Sequence, residues 1–192
     1  YRLVLGPSMV YSCAYWTQSP DAGHGLDEAQ FDKLDLICRK LALRPGMRLL
    51  DVGCGWGSLA IHAAAHYGAT VVGVTVSQEQ ADLARRRVAD AGLADRVEIR
   101  LQDYRDVDDG PYDVIASVGM AEHVGRSRLV AYSSALMALL RPGGRLLNHA
   151  IASVRALPPA AKGSPGFIDS YIFPDGEVLP LSTTLDALET VG

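Results

Sequence analysis

The stretch MRLLDVGCGWGS at Met47–Ser58 constrains the fold of this chain more than any other feature. An apolar run ends at Asp51, Gly53, Gly55 and Gly57 follow it, and an alanine-rich helical segment comes next. A strand, a tight turn and a helix in this order form the first unit of a doubly wound α/β domain. Because glycine has no Cβ, the backbone can turn sharply here and lie close against a ligand.

The rest of the chain alternates between predicted strands and helices. The predicted strands are Met47–Val52, Thr70–Thr75, Val97–Gln102, Tyr112–Val118 and Gly144–Ile151; the predicted helices are Leu26–Leu43, Ser58–Tyr67, Gln78–Ala91 and Arg128–Leu140. Pro142-Gly143-Gly144 is predicted to form the turn before the last strand. This alternation indicates a mostly parallel sheet with helices on both faces.

One domain is therefore expected over residues 1–192. It is predicted to comprise an extended, aromatic-rich segment at 1–25, an α/β core at 26–155, and a loop rich in proline and glycine followed by a helix at 156–192. In sheets of this type, ligands bind beyond the carboxyl ends of the strands. Candidate functional residues are accordingly expected at the strand ends.

The spacing of the glycines indicates the ligand. Dinucleotide-binding domains use GxGxxG, whereas this chain reads GxGxG directly after LLDV. Together with polar residues at later strand ends, the pattern favours the methyl donor S-adenosylmethionine. Gly53, Gly55 and Gly57 are predicted to contact its methionine part, whose carboxylate would meet the start of the next helix. Asp51 is a further candidate for binding the donor. The alternative is a glycine-rich turn without a donor.

The second strand ends at Thr75, where a ribose-binding residue is expected. The threonine hydroxyl offers limited hydrogen bonding to the ribose, and Gln80 is a candidate for the rest. The sequence Ser77-Gln78-Glu79-Gln80 also reads as a helix capping box, in which the Gln80 side chain bonds the backbone of Ser77. Both interpretations of Gln80 stay open at this point.

The third strand ends in Gln102-Asp103-Tyr104, where the adenine of the donor is expected. A carboxylate can accept from the adenine amino group, and a tyrosine ring can stack on its face. The alternative is a solvated loop, because an acidic run follows these residues.

The fourth and fifth strands end in Glu122, His123 and His149. A carboxylate beside a sulfonium can stabilise developing positive charge or take a proton. The alternatives are the start of a capped helix for Glu122 and His123, and a core histidine for His149. Because both strand ends face the same crevice, Glu122 and His149 are the candidate catalytic residues.

Charge and motif content argue against several other functions. The net charge is −4, without a basic patch for nucleic acid. Cys13, Cys38 and Cys54 form no CxxC pair, which suits a reducing compartment and excludes a cysteine zinc site. His62 and His66 lack the glutamate of HExxH, so packing is favoured over metal binding. No signal peptide or membrane-spanning run is apparent.

Six motifs together make a narrower resemblance. The chain resembles the cyclopropane-fatty-acid synthases, including the mycolic-acid cyclopropane synthases, over nearly its whole length. The motifs are YSCAYW at Tyr11–Trp16, LLDVGCGWGS at Leu49–Ser58, VVGVTVSQEQ at Val71–Gln80, QDYRDV at Gln102–Val107, MAEHVG at Met120–Gly125 and YIFPDG at Tyr171–Gly176.

The resemblance implies a reaction and its participants. The double bond of an unsaturated fatty acyl chain, such as that of a phospholipid, attacks the methyl group of S-adenosylmethionine, and a carbocation forms. A bound bicarbonate ion then acts as the base, at residues matching Cys13, Glu122 and His149. Tyr11, Ser12, Thr75 and Gln80 match donor-binding positions, which shifts Gln80 toward function. The resemblance also implies a cytoplasmic protein that contacts the inner face of the membrane transiently.

The resemblance is incomplete at the end of the chain. The chain stops before a tyrosine and, in many members, a cysteine that complete the anion site, and before the last strands of the sheet. We expect a fragment that is impaired in catalysis and whose His149 strand lies at an exposed edge. The alternatives are a methyltransferase for a non-lipid small molecule, a nicotinamide oxidoreductase and a non-catalytic remnant.

Overall fold

A computed structural model describes residues 2–154 and 176–192. Helices and strands alternate through most of the chain, as predicted. The helices are α1 (Arg2–Leu5), α2 (Leu26–Lys40), α3 (Ser58–Tyr67), α4 (Gln78–Asp90), α5 (Ala121–Val124), α6 (Leu129–Ala138) and α7 (Leu181–Val191). The strands are β1 (Arg48–Val52), β2 (Thr70–Thr75), β3 (Val97–Leu101), β4 (Tyr112–Val118), β5 (Leu140–His149), β6 (Ala152–Ser153) and β7 (Leu179–Pro180).

Five parallel strands form the central sheet in the order β3-β2-β1-β4-β5. The strand order reverses at β1, which pairs with β2 on one side and with β4 on the other. Leu50 lies between Val72 and Ile115 in this register. The crevice beside β1 is therefore the topological switch point, where ligands of such sheets bind.

Successive side chains of β1 serve two separate cores, because strand residues alternate between faces. Leu49 belongs to the cluster under α2, α3 and α4, and Leu50 to the cluster under α6 and α7. Alanines 60, 63 and 64 of α3 are fully buried, so this helix lies close to the sheet. The prediction of helices on both faces is confirmed.

Local features differ from the sequence-based expectation at the N-terminus and at the start of the fifth strand, among other places. The N-terminal segment is not extended throughout, since it contains α1 and a short 3₁₀ helix at Pro20–Ala22 capped by Ser19. Pro142-Gly143-Gly144 lies inside β5 rather than before it. Tyr112 pairs with Leu140 but Val114 pairs with Arg145, so the extra residues form a bulge that the positive φ of Gly143 accommodates.

The end of the chain adds a small parallel pair, in which Ala152 pairs with Leu179. Within the described residues, β5 forms an edge of the central sheet, as expected. Most of the predicted loop at 156–180 and residues 171–175 of the YIFPDG motif lie outside the described residues. In the parts of the chain described here, no helix has the length and apolar character needed to cross a membrane.

His62 and His66 pack against Phe31 of α2. The His62 ring lies 4.8 Å from the Phe31 ring and 4.6 Å from the His66 ring, measured between centroids. His62 is buried. Burial and, to a lesser degree, His66 lower the pKa of His62 from 6.5 to about 4.

The His62 environment predicts a loss of stability in acid. The His62 imidazole takes up a proton near pH 6.5 in the unfolded chain but only near pH 4 in the folded chain. The free energy of unfolding is therefore highest above pH 6.5 and falls as the pH drops toward 4. We expect His62→Leu to remove about 2 kcal/mol of the difference in unfolding free energy between pH 7 and pH 4.5. Urea denaturation at both pH values measures it. His66→Leu should keep most of the difference, and equal acid sensitivity of His62→Leu and the parent would contradict the prediction.

Candidate active site

A cavity opens at the carboxyl ends of β1, β4 and β5, at the switch point of the sheet. The N-terminal segment covers it, α2 lines one side, and α5 lines another. Eight residues predicted from the sequence line this cavity, namely Tyr11, Ser12, Cys13, Asp51, Gly53, Gly55, Glu122 and His149. They come from four separate parts of the chain, and the fold brings them together.

The glycine loop turns directly under this cavity. The amides of Gly53 and Cys54 both donate to the Val74 carbonyl at 3.0 Å, which ties the loop to the end of β2. Gly53 has φ +73°, and a Cβ there would lie 2.6 Å from Met120 Cγ and closer still to its Sδ. A Cβ on Gly55, at φ +54°, would lie 3.3 Å from the Tyr11 ring. Both positions therefore require glycine for backbone conformation and for space.

Gly57 lies outside the cavity lining, and its conformation has a packing explanation. It forms the N-cap of α3 with φ +81°. A Cβ there would lie 3.0 Å from the Ala84 Cβ of α4. The third glycine therefore permits the close approach of α3 and α4, and its contact with a donor stays a prediction.

A hydrogen-bonded chain joins the end of β2 to the N-terminal segment. The Thr75 hydroxyl donates to Gln80 Oε1 at 2.7 Å, and Gln80 Nε2 donates to the Tyr11 hydroxyl at 3.4 Å. The backbone amide of Gln80 is capped by Ser77 Oγ. The Gln80 side chain thus turns toward Thr75 and Tyr11 rather than back to the Ser77 backbone, so only half of the capping box forms.

The residues after β3 lie outside the cavity lining and have local partners. Arg105 binds the Asp103 carboxylate at 2.9 and 2.7 Å, and this pair lowers the pKa of Asp103. Gln102 Nε2 donates to the Asp106 carbonyl at 2.7 Å. The Tyr104 ring packs edge-to-face on Tyr132. Adenine binding by Gln102, Asp103 and Tyr104 stays a prediction.

Glu122 and His149 both line the cavity, and each has one buried polar atom without a hydrogen-bond partner among the described residues. Glu122 is buried at the start of α5, where its Oε1 accepts from the Ile151 amide at 2.6 Å. Within residues 2–154 and 176–192, Glu122 Oε2 and His149 Nδ1 are buried without a hydrogen-bond partner. Burial and the charge of Lys33 lower the pKa of His149, which favours the neutral imidazole. Buried polar atoms without partners are costly, so these two atoms make Glu122 and His149 candidates for ligand binding.

Comparison with known proteins identifies the family. The family profile described as mycolic acid cyclopropane synthetase matches residues 1–192. The chain belongs to this family. It is 48% identical over 184 residues to a probable fatty acid methyltransferase of Pseudomonas putida, covering 95% of this chain and 46% of that protein. It is 46% identical over 176 residues to the cyclopropane-fatty-acyl-phospholipid synthase of Escherichia coli K12, covering 92% and 43%.

A solved structure of the same family has the same fold. Mycolic acid cyclopropane synthase CmaA1, complexed with SAH and CTAB, superposes with a TM-score of 0.85 at 34% identity, covering all of this chain and 69% of that one. The predicted family and the doubly wound, mostly parallel fold are confirmed. The chain spans less than half the length of the two curated relatives above. Because the chain belongs to the synthase family, the alternative of a nicotinamide oxidoreductase is not favoured.

Lys33 lines the cavity but was not predicted from the sequence as a site residue. Lys33 of α2 is buried, and its Nζ donates to Ser12 Oγ at 2.7 Å. Burial lowers the pKa of Lys33 to about 8, and burial raises the pKa of Asp51 to about 7 although Lys33 opposes that rise. The signal was present in the sequence, since Gln30 and Lys33 share the helix face of Leu34 and Ile37. Polar residues on an apolar helix face call for a buried partner.

Metal binding has no support in the described part of the chain. No group of three or more histidine, cysteine, aspartate or glutamate side chains lies close enough there to hold a metal ion. Cys13 is an exposed free thiol, and Cys38 and Cys54 are buried free thiols.

Proposed function

We propose that this chain forms the donor-binding part of an S-adenosylmethionine-dependent C-methyltransferase that acts on the double bond of an unsaturated fatty acyl chain. The observation that carries the proposal is the pair of buried atoms Glu122 Oε2 and His149 Nδ1 beside the glycine loop, which have no hydrogen-bond partner among residues 2–154 and 176–192. Relatives named as a fatty acid methyltransferase and a cyclopropane-fatty-acyl-phospholipid synthase support the choice of substrate.

The cavity residues fit the methyl donor. Asp51 Oδ2 is buried without a partner among the described residues and suits the ammonium group of the methionine part. Gly53 and Gly55 leave room for a ligand to lie against the backbone. Tyr11, held by Gln80, covers this loop. Bound S-adenosylmethionine supplies an electrophilic methyl group at this place.

The residues beyond the donor fit a small anion such as bicarbonate. Glu122 Oε2 can accept its hydroxyl proton, and a neutral His149 can donate or accept through Nδ1. Cys13 lines the same cavity. A bicarbonate ion held there supplies the base for the proton that the new methyl group loses. The Glu122 carboxylate also stabilises positive charge that develops on the acyl chain.

Substrate access completes the proposal. An acyl chain of a phospholipid lies in a bilayer, so we include transient contact of the protein with the inner membrane surface. Tyr15 and Trp16, which follow the cavity-lining Tyr11–Cys13, are partly exposed aromatic residues of the kind that sit at membrane interfaces. We therefore also propose that the protein is cytoplasmic and contacts the membrane through this region.

Lipid analysis tests the function. The complete gene product is expressed in cells with unsaturated phospholipids and fed methionine carrying a deuterated methyl group. We expect acyl chains heavier by one labelled methylene or methyl unit, and a cyclopropane ring would lose one of the methyl deuterium atoms. Cells with an empty vector are the control. Unlabelled acyl chains from a protein that binds S-adenosylhomocysteine would overturn the lipid substrate and favour a small-molecule acceptor.

A further inference from the structure

Helix α2 ties the N-terminal segment to the cavity through two polar side chains. Gln30 Nε2 donates to the Ser12 carbonyl at 3.0 Å and lies 3.5 Å from the Val10 carbonyl. Lys33 Nζ donates to the Ser12 hydroxyl oxygen at 2.7 Å. Residues three apart lie on the same helix face, so both side chains reach the same short segment. Gln30 binds the backbone carbonyl of Ser12, whereas Lys33 binds the side-chain hydroxyl of Ser12.

The direction of the Lys33 hydrogen bond determines what Ser12 can do. A lysine ammonium has three donors and no acceptor, so Ser12 Oγ is the acceptor. The hydroxyl proton of Ser12 is therefore directed elsewhere. In the part of the chain that the structure describes, no protein atom accepts this proton. Ser12 lines the cavity, where its hydroxyl is a hydrogen-bond donor polarised by the adjacent cation.

The cavity therefore presents two complementary features. One is the Ser12 hydroxyl with the buried Lys33 charge behind it, and the other is the Asp51 carboxylate, whose Oδ2 is buried and unpartnered within the described residues. An α-amino acid group carries a carboxylate and an ammonium side by side. Ser12 suits the carboxylate, because its neutral hydroxyl donates a hydrogen bond that the adjacent Lys33 charge strengthens. The Asp51 carboxylate suits the ammonium, because the two groups carry opposite charges.

We propose that Lys33 is a positioning residue that directs the Ser12 hydroxyl toward the carboxylate of the methyl donor. This rests on the proposed binding of S-adenosylmethionine and adds the recognition of its amino acid end. With a pKa of about 8, Lys33 remains mainly protonated at pH 7 and therefore keeps the required donor direction. A neutral lysine could accept the Ser12 proton and would remove this orientation.

Two ligands separate this role from a structural one. S-adenosylhomocysteine carries the amino acid group, whereas 5′-methylthioadenosine keeps the nucleoside and thioether without it. Calorimetry with the complete gene product is expected to show that Lys33→Met weakens S-adenosylhomocysteine binding about ten-fold or more, as for loss of a charge-assisted hydrogen bond. Binding of 5′-methylthioadenosine should change by less than about two-fold. Lys33→Arg should restore much of the lost affinity.

Matched variants make the result specific. Ser12→Ala should cause the same selective loss, and adding Lys33→Met to it should cause little further loss, because the two residues act through one hydroxyl. Gln30→Met, which loosens the same segment without touching that hydroxyl, should affect both ligands alike. Thermal melting shows whether each variant is folded. Equal loss of both ligands in Lys33→Met, or no loss, overturns the inference, whereas absence of S-adenosylhomocysteine binding in the parent overturns the proposed function as well.

Discussion

Replacing Glu122 with glutamine is expected to lower the turnover number by about 10²-fold or more, as for loss of a catalytic carboxylate. Glutamine has nearly the same shape, and its carbonyl can still accept from the Ile151 amide that binds Glu122 Oε1. The change therefore removes the charge and puts a donor in place of the Oε2 acceptor, which has no partner in the described part of the chain. Steady-state turnover of labelled S-adenosylmethionine with unsaturated phospholipid vesicles measures the effect.

A second glutamate provides the control for this substitution. Glu189→Gln makes the same chemical change on the exposed surface of α7, so its turnover should equal that of the parent. Affinity for S-adenosylhomocysteine, measured by calorimetry, shows whether the variant still forms the donor cavity. If Glu122→Gln keeps its turnover within about three-fold of the parent, Glu122 has no chemical role and only supports the backbone at Ile151.

Replacing Gly53 with alanine is expected to lower the free energy of unfolding by about 2–4 kcal/mol and to abolish measurable donor binding. Two costs add at this position. The backbone has φ +73°, which disfavours any side chain, and the new Cβ would overlap Met120. Relief of that overlap has to shift Met120 or the glycine loop, and Gly53 and Gly55 of this loop line the cavity. Urea denaturation and S-adenosylhomocysteine calorimetry measure the two effects.

Gly119 separates the two costs. It has the same φ of +73°, but a Cβ there would meet no atom within 4 Å. Gly119→Ala should therefore lower the unfolding free energy by only the backbone cost of about 1–2 kcal/mol. Adding Met120→Ala to Gly53→Ala should recover part of the extra loss. Equal destabilisation by the two glycine substitutions would show that Met120 is not the obstacle.

Local sequence patterns predicted most of the fold. The bounds of α3, β2 and β4 agree with prediction because a periodic apolar pattern ends there at a glycine or a polar cap. The bulge in β5 was mistaken for a turn, since Pro142-Gly143-Gly144 has turn chemistry and only the pairing with β4 reveals a strand. The short helix α1 also escaped prediction, because a helix of one turn has no periodic pattern to read.

Some features of the candidate site also follow from local sequence, whereas others depend on contacts between distant segments. The sequence by itself determined the glycine turn, the succession of strands and helices along the chain and the family, because a motif depends on residues close together along the chain. Only the tertiary structure could reveal that Lys33 contacts Ser12, that Gln80 turns toward Tyr11, and that Gly57 packs against α4 rather than lining the cavity. These contacts join segments distant in sequence, and burial in a shared cavity, not local spacing, decides which polar atoms find partners.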